Sequence, residues 1–269
     1  MPIERKDESS KRRFEIEGED LGYPTLFREG SSAAALFVVD AGAAQQLIEG
    51  TGFEIAEIAP GRGILAFTCV HYTDTDCGVY EETAQAFFVR RLDDEDSFLS
   101  SVPGVGRYLS TWRDFLTGRV ASYTWRLQVT TRLSQQCGLQ MWGFPKELAD
   151  IEFEQNDGRL RCSLRMEDRP VFQFSMKAGG RKTPAPITSS VYSIYQGEPH
   201  VSHLTQSYRE TGYALGGATI VLGDHPLADA FRSLGLPKTP LFSTWNGHLC
   251  FSMTAPEKLQ RGKLRAATQ

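Results

Sequence analysis

IEFEQNDGRLRCSLRM, residues 151–166, decides the fold class. Ile151 and Phe153 alternate with Glu152 and Glu154. After Asn156-Asp157-Gly158 the alternation resumes, with Leu160, Cys162, Leu164 and Met166 set against Arg159, Arg161 and Arg165. A period of two sends successive side chains to opposite faces, so each half has one apolar and one charged face. Asn, Asp and Gly tolerate the positive φ of a tight turn, and the segment predicts a β-hairpin. Strand patterns continue outward on both sides. Phe172, Phe174 and Met176 extend the sheet, and Trp125, Leu127 and Val129 alternate with Arg126, Gln128 and Thr130. Ile64–Val70 and Tyr80–Arg91 are rich in β-branched and aromatic residues.

Helix signals are fewer. Asp40 ahead of Ala41–Glu49, with Gly50 behind, predicts a short capped helix. Tyr108, Leu109, Trp112, Phe115 and Leu116 recur at helical spacing before Gly118. Asp224 precedes an apolar stripe of Leu227, Ala230, Phe231 and Leu234 that ends at Gly235. Ser134 is expected to cap a further helical segment, Gln135–Met141. The pattern predicts an α+β, β-rich fold: a large, curved, mainly antiparallel sheet closing into a barrel or cone around an apolar pocket, with few helices. Ala178–Pro186 (AGGRKTPAP) reads as a surface loop, because β-like segments flank it. The expected organisation is an N-terminal arm over 1–20, one domain over 21–256 and a polar tail over 257–269.

Hydrophobic residues make up 41% of the chain, enough for a sizeable core, and the formal net charge of −4 argues against a nucleic-acid partner. The five cysteines are scattered without a CxxC pair, which predicts free thiols in a reducing compartment. The first twenty residues lack the apolar stretch of a signal peptide, and no run approaches the ~18 apolar residues of a membrane span. A cytoplasmic protein without a membrane partner is expected. Glu198, His200 and His203 suggest no fourth ligand, and Pro199 breaks the helix that would bring the histidines together; no metal and no cofactor is expected.

The chemistry centres on Trp142-Gly143-Phe144-Pro145-Lys146. Gly143 suits a left-handed helix exit, and Pro145 forbids continuation because it has no amide proton. Lys146 therefore follows a stiff stop between aromatic side chains. An amine desolvated by aromatic bulk is driven toward its neutral form, which can attack a carbonyl and form an imine. Local sequence also allows a solvated lysine whose charge snorkels off an apolar stem.

WGFPKELAD (Trp142–Asp150) resembles the Gly/Ala-aromatic-Pro-Lys segment of the acetoacetate decarboxylase family, whose lysine forms a Schiff base and itself illustrates activation by a neighbouring cation. CGVYEETAQ (Cys77–Gln85) is similar to the family's Tyr-x-Glu strand. Gly223–Thr244 resembles its closing helix and last strand, and Phe37–Ile48 its strand-to-helix entry, so the likeness spans roughly Tyr23 to Met253 in the family's order. The resemblance implies a small keto-acid substrate, a homo-oligomer, Lys146 as the imine-forming residue and Glu82 as the proton-transfer carboxylate. It also implies that Arg28, Phe67, Tyr80, Trp142 and Phe144 contact substrate. Three positions depart from the family: Glu147 replaces a second lysine, Phe67 falls where an acidic residue is expected, and the family's N-terminal arginine has no exact counterpart, Arg28 lying within two residues of it. A carboxylate at 147 would favour the charged amine if it faced it. Residues 93–120 have no evident family equivalent, and their amphipathic helix suits a cover over the pocket, a subunit interface or a satellite core.

Overall fold

The computed structural model describes residues 12–91, 106–117 and 120–259. In chain order the strands are β1 (Arg13–Ile16), β2 (Glu19–Gly22), β3 (Thr25–Asp40), β4 (Phe53–Ile55), β5 (Arg62–Thr75), β6 (Tyr80–Arg91), β7 (Ala121–Val129), β8 (Lys146–Leu148), β9 (Asp150–Asn156), β10 (Arg159–Met166), β11 (Arg169–Lys177), β12 (Ile187–Tyr195), β13 (Glu198–Leu215), β14 (Ala218–Leu222), β15 (Phe242–Met253) and β16 (Glu257–Lys258). The helices are α1 (Ala41–Leu47), α2 (Gly106–Leu116), α3 (Arg132–Cys137) and α4 (Pro226–Ser233), with a π-helical turn over Gly138–Trp142.

Seven strands run in the order β6-β5-β3-β15-β13-β12-β7 and close into a barrel where β6 meets β7. Neighbours are antiparallel except β12 beside β7, and β8 is added parallel to β7. The hairpin read from 151–166 is β9–β10. Leu160, Cys162 and Leu164 face Gln155, Phe153 and Ile151 across a turn in which Asp157 and Gly158 both have positive φ. With β11 and β14 it forms a second, four-stranded sheet.

Two cores lie on opposite faces of the barrel sheet. Along β5, Leu65, Phe67 and Cys69 belong to one core while Val70 and Tyr72 belong to the other. The first core joins the barrel to the second sheet and α4, with Phe67 fully buried among Phe37, Phe172, Phe174 and Phe231. Burying one such ring contributes about 2–3 kcal/mol. The second core gathers Phe27, Tyr72, Tyr80, Leu127, Val129, Met141, Trp142 and Phe144.

Asp40 caps α1, its carboxylate accepting from the Ala43 amide at 2.7 Å. At α4 the cap is His225, whose Nδ1 accepts from the Leu227 amide at 3.1 Å; the expected Asp224 stands one residue too early. α2 packs Phe115 on Phe88, with ring centroids 4.5 Å apart, and Trp112 donates to the Ile58 carbonyl. These contacts seat α2 on β6 and on the chain that follows β4. Arg13–Asp20, read as part of an arm, joins Leu21 and Gly22 in the β1–β2 hairpin with Ile16 and Leu21 buried; residues 1–11 lie outside the described residues. At the other end Glu257–Lys258 pairs with β13, and residues 260–269 lie outside the described residues. No helix among the described residues is long and apolar enough to cross a membrane.

Candidate active site

Lys146 opens β8, lying opposite Leu127 of β7. The chain reaches it through α3 and the π-helical turn. Thr131 caps α3, its hydroxyl accepting from the Ser134 amide at 3.3 Å. Ser134, expected as the cap, instead lies inside the first helical turn, fully buried, and its side chain is free for another partner. The helix widens at Gly138–Trp142, a distortion common at functional sites, and leaves through Gly143 at φ 69°. At Gly138 a Cβ would stand 2.4 Å from Lys146 Cδ, so only glycine lets the lysine stem cross there.

Lys146 is only 7% exposed, and three oxygens surround its amine. Nζ lies 2.9 Å from Ser134 Oγ, 3.0 Å from Glu82 Oε2 and 3.5 Å from the Tyr80 hydroxyl. An ammonium carries three N–H donors, so each has an acceptor. Glu82 receives two further hydrogen bonds, from Tyr72 at 3.3 Å and Tyr80 at 3.4 Å. Burial, and then the Glu82 charge, push the pKa of both tyrosines well above their ordinary value, so both remain donors. Beside them Cys77 hydrogen-bonds Cys137. That contact, reinforced by burial, raises the Cys77 pKa, and the same bond lowers that of Cys137. A partly buried carboxylate, a buried amine and several hydroxyls in mutual contact can pass protons along hydrogen bonds.

The family model described as acetoacetate decarboxylase (ADC) matches residues 18–254. The chain belongs to the acetoacetate decarboxylase family. Solved structures carry the same fold at low identity. Acetoacetate decarboxylase from Legionella pneumophila is 15% identical with a TM-score of 0.60, over 89% of this chain and 88% of its own. The enduracididine biosynthesis enzyme MppR complexed with pyruvate is 14% identical with a TM-score of 0.55, over 90% and 92%. An acetoacetate decarboxylase-like enzyme from Sphingomonas wittichii RW1 is 13% identical with a TM-score of 0.52, over 88% and 93%. No curated protein matches the sequence.

Of the positions that the family resemblance pointed to, Lys146, Glu82 and Tyr80 come into direct contact. Trp142 and Phe144 sit in the same buried core, the Trp142 indole donating to the Thr254 carbonyl at 2.9 Å. Two positions go elsewhere. Phe67 pairs with Gln85 across the β5–β6 ladder and faces the opposite core, because three residues separate Gln85 from Glu82 on a strand whose period is two. Arg28 stands half-exposed on β3, where it binds Asp74 at 3.3 Å and also Asp76, while the adjacent Phe27 turns inward onto Tyr72. Glu147 also turns away from the amine and pairs with Arg126 at 2.8 Å on the other face of β8.

Sequence reasoning passed over Ser134 and Tyr72 as site residues. Pairing β5 with β6 through the turn after Thr75 would have found Tyr72, which stands opposite Tyr80. Nothing local marks Ser134, whose partner lies twelve residues on. Two surface grooves, of about 640 and 280 Å³, are lined by Arg12, Leu139 and Tyr195 and by Arg28, Tyr208 and His248, and Lys146 lines neither. Among the described residues no three metal-ligating side chains converge; His203 bonds Ser190, and Glu198 pairs with Lys258.

Proposed function

We propose that Lys146 forms a Schiff base with a small carbonyl substrate and that the resulting imine serves decarboxylation of a β-keto acid. The observation that carries this reading is the buried contact of Lys146 Nζ with Glu82 at 3.0 Å. Glu82 takes a proton from the ammonium, and the freed lone pair attacks the ketone carbon. Loss of water gives a protonated imine, which draws in the electrons of the breaking bond to the carboxylate. Carbon dioxide leaves, an enamine remains, and protonation at carbon followed by hydrolysis returns the amine.

A second reading keeps the imine and changes the bond, by aldol-type condensation or dehydration. It is favoured by Arg28, whose guanidinium is engaged by Asp74 and Asp76 and which is therefore not beside Lys146 to hold a substrate carboxylate. The structural neighbour MppR has also been seen complexed with the condensation product of pyruvate and imidazole 4-carboxaldehyde.

Borohydride reduction in the presence of acetoacetate, pyruvate or neutral ketones, read by peptide mass spectrometry, tests the shared step. A reduced adduct on Lys146 is expected, with carbon dioxide release marking the decarboxylase. Absence of any adduct across the panel would overturn both readings and leave a ligand-binding protein.

A further inference from the structure

Resting on Lys146 as the imine-forming amine, we infer that Ser134 is the proton relay of imine formation. Its Oγ is 2.9 Å from Nζ, the shortest polar contact of the amine, and it is fully buried. The hydroxyl has no capping duty, because Thr131 caps α3. Ser134 Oγ and the Tyr80 hydroxyl both contact Nζ, so the amine joins the serine to the tyrosine pair around Glu82.

After attack on the carbonyl, a proton must move from nitrogen to the new alkoxide, and one group that both accepts and donates can carry it in a single step. Glu82, once it has taken the ammonium proton, holds that proton for the departing hydroxyl, and the Tyr80 hydroxyl, 3.5 Å from Nζ, already donates to Glu82. Ser134 can do both. Glu82 first removes one proton from the ammonium. As the Nζ lone pair bonds to the carbonyl carbon, the C=O π electrons move to oxygen. One N–H proton then passes to Ser134 Oγ while the serine proton passes to the new alkoxide, leaving a neutral carbinolamine. Protonated Glu82 returns its proton to the carbinolamine hydroxyl; water leaves, and the nitrogen lone pair closes the protonated imine. The balance is ammonium plus ketone giving protonated imine plus water, with Ser134 and Glu82 unchanged.

The test compares two reagents on the full chain. Ser134→Ala should slow borohydride-trapped adduct formation with a small ketone by about 100-fold, the lower range for one positioned proton-transfer group. Its acylation by acetic anhydride, which needs no proton delivered to an alkoxide, should stay within ~3-fold of wild type. Ser134→Thr, which keeps the hydroxyl, should recover most of the ketone reaction. A slower reaction in deuterium oxide, expected for wild type and reduced in Ser134→Ala, gives a readout that survives if threonine's extra methyl disturbs packing. Equal trapping rates in wild type and Ser134→Ala overturn the relay. So does an equal loss with both reagents accompanied by an unchanged isotope effect, which is the signature of packing alone. No adduct in wild type overturns the Lys146 reading itself, and the relay with it.

Discussion

The two faces of β5 and β6 hold side chains of similar bulk and opposite character. On one face Phe67 is ringed by Phe37, Phe172, Phe174 and Phe231, all bringing barrel, second sheet and α4 together through apolar contact. On the other, Tyr72, Tyr80 and Glu82 enclose an amine. Carbon against carbon tightens with every ring added. An amine and a carboxylate held in a low dielectric must be matched atom by atom, since leaving one of them alone costs about 3–5 kcal/mol. One sheet thus separates an apolar face from a hydrogen-bonded one by the parity of its residues.

The largest expected effect breaks the cohesive face. Phe67→Ala should cost about 3–5 kcal/mol in denaturant unfolding, while adduct formation per folded molecule is unchanged. A large stability loss accompanied by loss of trapping would show that the faces are not separate.

Alkaline unfolding sharpens the contrast next. Tyr72 and Tyr80 have raised pKa values when folded, so the unfolded chain gives up their protons first as pH rises. Their contribution is intact below about pH 10 and is lost above it, at roughly 1.4 kcal/mol per pH unit for each tyrosine. Tyr72→Phe and Tyr80→Phe should each flatten the alkaline limb of a stability-versus-pH curve, whereas Phe67→Ala should lower the whole curve evenly.

The smallest effect concerns the residue next to the amine. Glu147→Gln removes a partly exposed ion pair with Arg126 and should change stability by no more than about 1 kcal/mol. Trapping at Lys146 should be unaltered; a clear change in its rate would mean that the carboxylate reaches the amine.

The β9–β10 hairpin, α1 and the exit at Gly143 were legible in the sequence, because each rests on neighbours within a few residues. Family resemblance pointed to Lys146 and Glu82, and their contact depends on β8 lying against β7, which no local pattern reveals. Phe67 was placed by its spacing in the strand before Tyr80, and spacing alone ignores which face each position takes. Arg28 was placed by proximity to a family position, but its neighbour Phe27 holds the inward direction. Ser134 carries the signature of a cap, and Thr131, three residues earlier, carries it too. Only the fold decides which of the two hydroxyls remains for the lysine.

The short strand β8 makes the connection ahead of it unforgiving of length. Lys146 and Glu147 are adjacent and face opposite ways, so dropping one residue between Gly143 and Pro145 would put Glu147 in the place of Lys146 and Leu148 in the place of Glu147. Glu147 would then meet Glu82, like charge against like, and Arg126 would face a leucine in place of its carboxylate. Chains descended from this one can vary freely around the Asp157-Gly158 turn, where side chains meet water, yet from Gly138 to Lys146 they are held to a fixed reading frame. Substitutions there can be repaired one at a time; an insertion or deletion cannot.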